Sequence, residues 1–389
     1  MPTINVQLAE YSELFMLIAA FIYTLAFILF SIDIARSSAT IRRVEAELAQ
    51  ETEAERAALR EKKLVAAGSA DSTAGEPAGS DAASAATAST GGVVGAGDST
   101  GDSDSAGGSD SDSGAELVDE DMAYVGTRRP IANVAIAFTA VAALAHAFAV
   151  IARGLAASRW PLGNMFEFLT GAALVVTLVY LVVLIRRDVR FLGVFVLGLV
   201  VTMMVAATIG FPTPVGHVQP ALQSPWIAIH VTLAATSIGL FVLTFAMSLL
   251  QLVQARREAA LLAGAETRAQ RVLARASFLR LVPSAFALEN WSYRINAVAF
   301  VFWTLGPMVT GAIWARESWG RYWGWDTKEV WTFVIWVVYA GYLHARATRG
   351  WTGNRAAWLS IIGFACIIFN YAVVNVYFPG LHSYAGLPE

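Results

Sequence analysis

Eight stretches of this chain are each apolar for about 20 consecutive residues, the length a helix needs to cross the bilayer core at about 1.5 Å per residue. They lie near 12–35, 131–152, 165–185, 191–209, 226–254, 294–314, 327–345 and 357–378. Within lipid a backbone must satisfy its own hydrogen bonds, so runs of this length read as helices, and the expected fold is an all-α polytopic membrane bundle of about eight transmembrane helices. A composition of 56% hydrophobic and 15% charged residues, with a mean hydropathy of +0.55, excludes a water-soluble domain of 389 residues. The first run, Leu14 to Ile34, is too long for the apolar core of a signal peptide and lacks a convincing cleavage site, so it is expected to be retained.

Three segments follow from this pattern: a first transmembrane helix over 1–35, a charged helix and disordered linker over 36–130, and a membrane domain over 131–389. Residues 36–66 alternate Arg, Lys and Glu in the manner of a helix leaving the membrane. Residues 67–121 are Ala, Gly, Ser, Thr and Asp with almost no large side chain, and cannot bury enough apolar surface to offset ordering entropy. The net charge of -3 reflects that acidic linker, and no nucleic-acid footprint emerges. Cys366, the single cysteine, lies mid-helix, so neither an internal disulfide nor a cysteine metal cluster is available.

Orientation follows from the positive charges. Placing the 36–130 segment in the cytoplasm and both termini outside leaves only Arg153, Arg159, Arg316, Arg321 and Lys328 of the 27 Lys and Arg residues on the outer side. Three of these five sit in or beside one outward loop between spans six and seven. That clustering against the charge rule points to an anionic group met there.

The same loop holds Trp319-Gly320-Arg321-Tyr322-Trp323-Gly324-Trp325-Asp326-Thr327-Lys328-Glu329. Coiled as a helix, it would bring Trp319, Trp323 and Asp326 to one face beside the bare backbone of Gly320 and Gly324, a flat aromatic shelf for a planar ligand. Trp and Tyr also collect at membrane surfaces without any ligand, so spacing alone leaves an interfacial belt equally open. Asp326 and Glu329 have the spacing of an N-terminal capping box for span seven. Glu167, before span three, is expected to pair with Arg159 or Arg153, and 256–280 reads as an interfacial amphipathic helix.

Five histidines sort by depth. His230 lies five residues into span five, roughly 7 to 8 Å below the outer surface, and His382 follows span eight at that same surface. His344 comes 17 residues after Thr327, about 25 Å deeper, so one ligand cannot reach both levels. His146 in span two and His217 in the outer loop both read as neutral imidazoles hydrogen-bonded to a neighbouring helix. Two histidines at one depth, beside aromatic rings and outward cations, match the needs of a porphyrin better than those of zinc, for which further ligands are not evident.

Trp319-Gly320-x-x-Trp323-x-Trp325-Asp326, with His230 before it and His344 and Leu381-His382-Ser383-Tyr384 after it, resembles the WWD signature of the CcsA/ResC family of cytochrome c biogenesis, called CcsB in some bacteria. The resemblance covers roughly 130–389; in place of the proline common after the WWD aspartate stands Thr327. It implies haem b as cofactor, with His230 and His382 as axial ligands of an outward-facing haem held against Trp319, Trp323, Trp325 and Asp326, and Arg316, Arg321 or Lys328 for its propionates. It implies His344 as one ligand of an inner haem, whose second ligand comes from a ResB-type (Ccs1-type) partner membrane protein. It further implies a multi-pass plasma-membrane exporter and haem lyase subunit that presents haem, on the extracytoplasmic side, to the CXXCH thiols of apocytochrome c, with thiol-reducing proteins as further partners. The chain has no CXXCH of its own and so is not a c-type cytochrome. Two alternatives are a transmembrane b-haem electron-transfer subunit, against which the missing second inner ligand argues, and a haem chaperone of the CcmC kind.

Overall fold

The computed structural model describes residues 3–71, 121–124, 129–218, 220–348, 350–378 and 380–382. All regular structure among them is helical. In order come α1 (Val6–Asp71), α2 (Pro130–Ala156), α3 (Met165–Arg186), α4 (Gly193–Val205), α5 (Pro225–Leu262), α6 (Arg268–Ala274), α7 (Ala285–Trp303), α8 (Gly311–Trp319), α9 (Thr327–Ala347), α10 (Asn354–Phe369) and α11 (Asn375–Tyr377). Each of the eight expected spans falls on a helix. Seven, among the described residues, are long and apolar enough to cross a membrane, with α7 and α8 counting as one run, Ala285–Trp319. The helix outside that group is α9, whose first turn carries Lys328 and Glu329 and whose body is rich in Trp and Tyr. The chain is thus a polytopic helical membrane protein.

The compact body comprises residues up to Ile41 and from Glu116 onward, and Arg42–Ala115 is a separate unit. Of the latter, the described part is the charged remainder of α1, which continues to Asp71 rather than ending near 66. The rest of the segment expected to be disordered lies outside the described residues. The 256–280 connector differs from the single amphipathic helix expected. Its start belongs to α5, and the remainder is the seven-residue α6, capped by Thr267 and Gln270, followed by a 3-10 turn at Ser277–Leu281.

Lipid tails are as apolar as leucine, so helices in a bilayer associate through close packing and interhelical hydrogen bonds. Both are present. Ala19, Ala26, Ala132, Ala135, Ala142, Ala149 and Ala173 are fully buried, keeping side chains short where helices meet. Between α5, α7 and α10, Ser237 Oγ donates to the Ala299 carbonyl at 2.7 Å, Thr244 Oγ1 to Asn296 Oδ1 at 2.6 Å, and Asn296 Nδ2 to Ser360 Oγ at 3.2 Å. Around them Phe241 stacks on Tyr339 with centroids 3.7 Å apart.

Two α-helical runs are interrupted by π-helical turns, Thr304–Thr310 between α7 and α8 and Asn370–Val374 between α10 and α11. Pro307 causes the first, since it has no N–H to donate and its ring clashes with the preceding turn.

Glu167 meets both of the arginines expected for it. Arg153 Nε donates to Oε1 at 2.9 Å, the Arg159 guanidinium donates to both oxygens at 2.8 Å, and the Gly163 N–H donates at 2.7 Å. Arg153 also donates to the Thr213 carbonyl and Arg159 to the Gly216 carbonyl, so the cluster fastens the loop before α5 to the start of α3. The carboxylate is fully buried and Arg153 is 2% exposed. Removing one partner of such a group leaves an uncompensated buried charge, which costs roughly 3 to 5 kcal/mol. Glu167→Ala is therefore expected to lower the melting temperature in detergent sharply, and Arg159→Ala, at the more exposed arm, to lower it less. Equal melting of wild type and Glu167→Ala would contradict this.

Candidate functional site: a two-histidine cavity beside the tryptophan loop

Gly306 and Pro307 shape the site before any histidine is considered. The π-helical turn leaves the Gly306 carbonyl accepting from the Gly311 N–H and, at 2.8 Å, from Thr310 Oγ1, while still open to α5. His230, in the second turn of α5, reaches that carbonyl with Nδ1 at 3.3 Å. A carbonyl can only accept, so Nδ1 carries the proton and Nε2 keeps its lone pair. Gly311 permits the approach, since a Cβ there would lie 2.9 Å from His230 Nδ1. On the other side the imidazole stacks on buried Trp314 at 5.9 Å and 9° between planes.

His382 is fixed by the same logic through a carboxylate. Its Nδ1 lies 2.8 Å from Asp326 Oδ2, and the Leu381 N–H donates to Asp326 Oδ1 at 3.0 Å. Burial raises the Asp326 pKa, but the hydrogen bonds from His382 and the Leu381 N–H outweigh it and hold the carboxyl below its ordinary value. The carboxylate therefore accepts, and His382 Nε2 is the free nitrogen. Gly380 allows this seat, since a Cβ there would lie 2.3 Å from Oδ1. His382 meets Trp319 edge-on at 4.8 Å and Trp314 at 5.6 Å.

The two histidines, far apart in sequence, thus share Trp314 as a neighbour and line one cavity, together with Asn164, Met165, Phe168, Tyr371, Lys328 and others. Among the described residues, Nε2 of neither ring has a hydrogen-bond partner. Two imidazoles, each with Nδ1 held by an oxygen and Nε2 free, form a donor pair whose outer partners fix tautomer and ring direction, the arrangement metal-binding histidines use. No group of three or more His, Cys, Asp or Glu able to hold a bare metal ion occurs among the described residues.

The tryptophan stretch takes a different form from the expected helical face. α8 ends at Trp319 because Gly320 adopts a left-handed conformation, φ 76°, the usual helix stop. Residues 320–326 are a loop in which Trp325 itself has φ 57°. Trp319 braces His382, and Trp323 lines a smaller cavity with both histidines and Tyr322. Trp325 meets Trp323 edge-on at 5.9 Å and is 69% exposed. Sequence reasoning passed over Trp314, hidden as one more apolar residue of span six. The signal available was Gly306-Pro307 followed by Gly311, which marks an interrupted helix with close backbone approach.

Asp326 does cap α9 as expected: Glu329 Oε2 accepts from the Asp326 and Gly324 N–H groups at 3.1 and 2.7 Å, and Asp326 accepts from the Lys328 N–H. Its bonds to Leu381 and His382 add a second role that local spacing could not show. Of the cations expected on the outer side, Lys328 lines the histidine cavity, its ammonium on Asn375 Oδ1 and 4.6 Å from the Tyr371 ring. Arg316 donates to the Gly320 carbonyl at 2.7 Å, and Arg321 packs against Gly324, whose Cβ would lie 2.5 Å from its Nε. Neither arginine lines that cavity.

His344 lies in the last turn of α9, exposed, at the opposite end of that helix from Asp326. His146 is fully buried and meets Tyr23 edge-on at 5.8 Å; the neighbouring-helix group beside its ring is the Thr170 backbone on α3, and neither ring nitrogen makes a well-formed hydrogen bond among the described residues. His217 is exposed in the loop before α5, and Ser383 and Tyr384 lie outside the described residues.

Comparison with known proteins places the chain in a family. Residues 162–382 match the family model described as cytochrome C assembly protein, a span that includes His230, the tryptophan loop and His382. The chain is 34% identical over 252 residues to the cytochrome c biogenesis protein CcsA of Heterosigma akashiwo, covering 59% of this chain and 77% of that one. It is 33% identical over 277 residues to CcsA of Synechococcus elongatus (63% and 85%) and 31% identical over 283 residues to CcsA of Porphyra purpurea (66% and 88%). With a family model covering more than half of its length and relatives of this identity matched over most of theirs, the chain belongs to the CcsA family of cytochrome c biogenesis proteins.

Proposed function

We propose that this protein holds haem b between His230 and His382 on the extracytoplasmic side of the plasma membrane and presents it for thioether attachment to the CXXCH thiols of apocytochrome c. The observation that carries the reading is the pair of imidazoles lining one cavity, each with Nδ1 anchored and Nε2 without a partner among the described residues. Axial haem ligation asks for such a pair: neutral rings, fixed directions and a second oxygen partner that raises ligand basicity. Bound there, haem would supply the iron that the rings grip and the vinyl groups to which the thiols add.

The chain's own share is positioning. Trp314 and Trp319 fix the imidazole planes, and Asp326 holds the Nδ1 proton of His382. Lys328 places a cation in the cavity wall, where a propionate can be held, with Arg316 and Arg321 on the neighbouring loop. Positioning of this kind converts an encounter between thiol and vinyl into a reaction within one complex. His344, at the other end of α9, serves a second, inner haem completed by a ResB-type partner membrane protein, and the lyase activity belongs to that pair.

Co-expression of the full chain with a ResB-type partner and a CXXCH reporter, in cells lacking their own maturation system, is expected to give covalent haem on the reporter, read by haem staining after denaturing electrophoresis. A reporter without covalent haem, alongside steady quinol oxidation by the purified complex, would favour the electron-transfer reading instead.

A further inference from the structure

The cavity between His230 and His382 encloses about 100 Å³. That is below the roughly 300 to 1,000 Å³ of pockets that enclose a small-molecule ligand. A cavity of about 550 Å³ lies beside it, between α2, α3 and α5, and Leu162, Phe168 and Val231 line both. Its remaining walls are mostly aliphatic residues, alanine and glycine, with Ser158, Trp160 and Thr232 among them. Ile151, Leu155 and Trp160 on its rim are 59%, 64% and 59% exposed, so it opens on an exposed apolar surface. Arg159 also borders it, but that guanidinium is engaged by Glu167 and the Gly216 and Trp160 carbonyls.

The space beside Gly171 is open. Glycine is among the poorest helix formers, and in membrane helices it normally lets a neighbouring backbone approach. Here a Cβ at Gly171 would meet nothing within 4 Å, so no packing contact asks for glycine. Ala228, on α5, also lines the void with a minimal side chain. A planar ligand gripped by both histidines needs more room than their own cavity provides, and the adjoining space is apolar.

We propose that this lateral cavity accommodates the apolar edge of the porphyrin ligated by His230 and His382. The proposal rests on the reading of that histidine pair as haem ligands. Gly171→Leu and Ala228→Leu, made separately in the full chain, fill the cavity from α3 and from α5. Haem titration followed at the Soret band is expected to show several-fold weaker binding in both variants, with the bis-imidazole low-spin spectrum of the bound form and the melting temperature of the haem-free protein unchanged. Wild-type haem affinity in both variants overturns the proposal and leaves the histidine reading standing. The same affinity together with loss of a co-purifying phospholipid in native mass spectrometry overturns it in favour of an acyl chain. A wild-type protein that binds haem without a bis-imidazole spectrum overturns the histidine reading itself, and this proposal with it.

Discussion

Alanine in place of His230 or His382 is expected to abolish covalent maturation of a CXXCH reporter, and imidazole added to the growth medium to restore part of it. Each ring offers one free Nε2, and its removal leaves a space of imidazole shape rather than a collapsed site. Around His230 that space is bounded by the Trp314 face, the Gly306 carbonyl and Gly311. Around His382 it is bounded by the Trp319 edge and the Asp326 carboxylate. A free imidazole can donate to the same oxygen and offer its other nitrogen to the cavity, so rescue by the small molecule separates a ligand role from a folding role. Haem staining of the reporter measures maturation, and the absorbance of the purified variant measures ligation. Normal maturation by both variants would remove these residues from the site. His344→Ala, by contrast, lies a helix length away, so the spectrum of the His230 and His382 site should not change in that variant.

Apolar run length made the helices legible, seven of them among the described residues also long and apolar enough to cross, because a bilayer imposes length and apolarity on a crossing and leaves few alternatives for runs such as 165–185 and 226–254. Depth along a straight helix is also legible, which is why His230 and His382 could be assigned to one level and His344 to another. What escaped is whatever depends on a break in the helix. The tryptophan stretch read as a helical face because its Trp residues recur at helical spacing, yet Gly320 in a left-handed conformation ends α8 and turns the next residues into a loop. Trp314 escaped for the opposite reason: it sits in a continuous apolar run, and only the π-helical turn at Pro307 aligns it with His230. His146 shows the same limit. Its burial follows from span two, but that its polar neighbour is the Thr170 backbone of α3 depends on packing that no local pattern encodes.

Asp326 joins what was legible to what was not, and its substitution is expected to have the second large effect. Asp326→Ala removes the N-cap of α9, worth about 1 kcal/mol in typical helices. It also removes the acceptor for the Leu381 N–H and His382 Nδ1, where hydrogen bonds to a charged group contribute roughly 1.5 to 3 kcal/mol each. The larger part of the loss therefore falls on the chain after α11, and with it on the direction in which His382 offers Nε2. Asp326→Asn separates the two roles. Asparagine caps as well as aspartate, but its neutral amide is the weaker partner for an imidazole N–H. The expected order of reporter maturation is wild type above Asp326→Asn, with Asp326→Ala lowest, while the melting temperature of Asp326→Asn stays near wild type at neutral pH. The pH dependence has a definite sign. A carboxyl whose pKa is lower folded than unfolded contributes stability that is complete above its unfolded value, about 3.9, and is lost as pH falls through the folded value. Wild type is therefore expected to lose thermal stability below about pH 4 more steeply than Asp326→Asn, which has no proton to take up there. Parallel acid profiles for the two proteins, or full maturation by Asp326→Ala, would reduce Asp326 to a helix cap and leave the orientation of His382 to Trp314 and Trp319 alone.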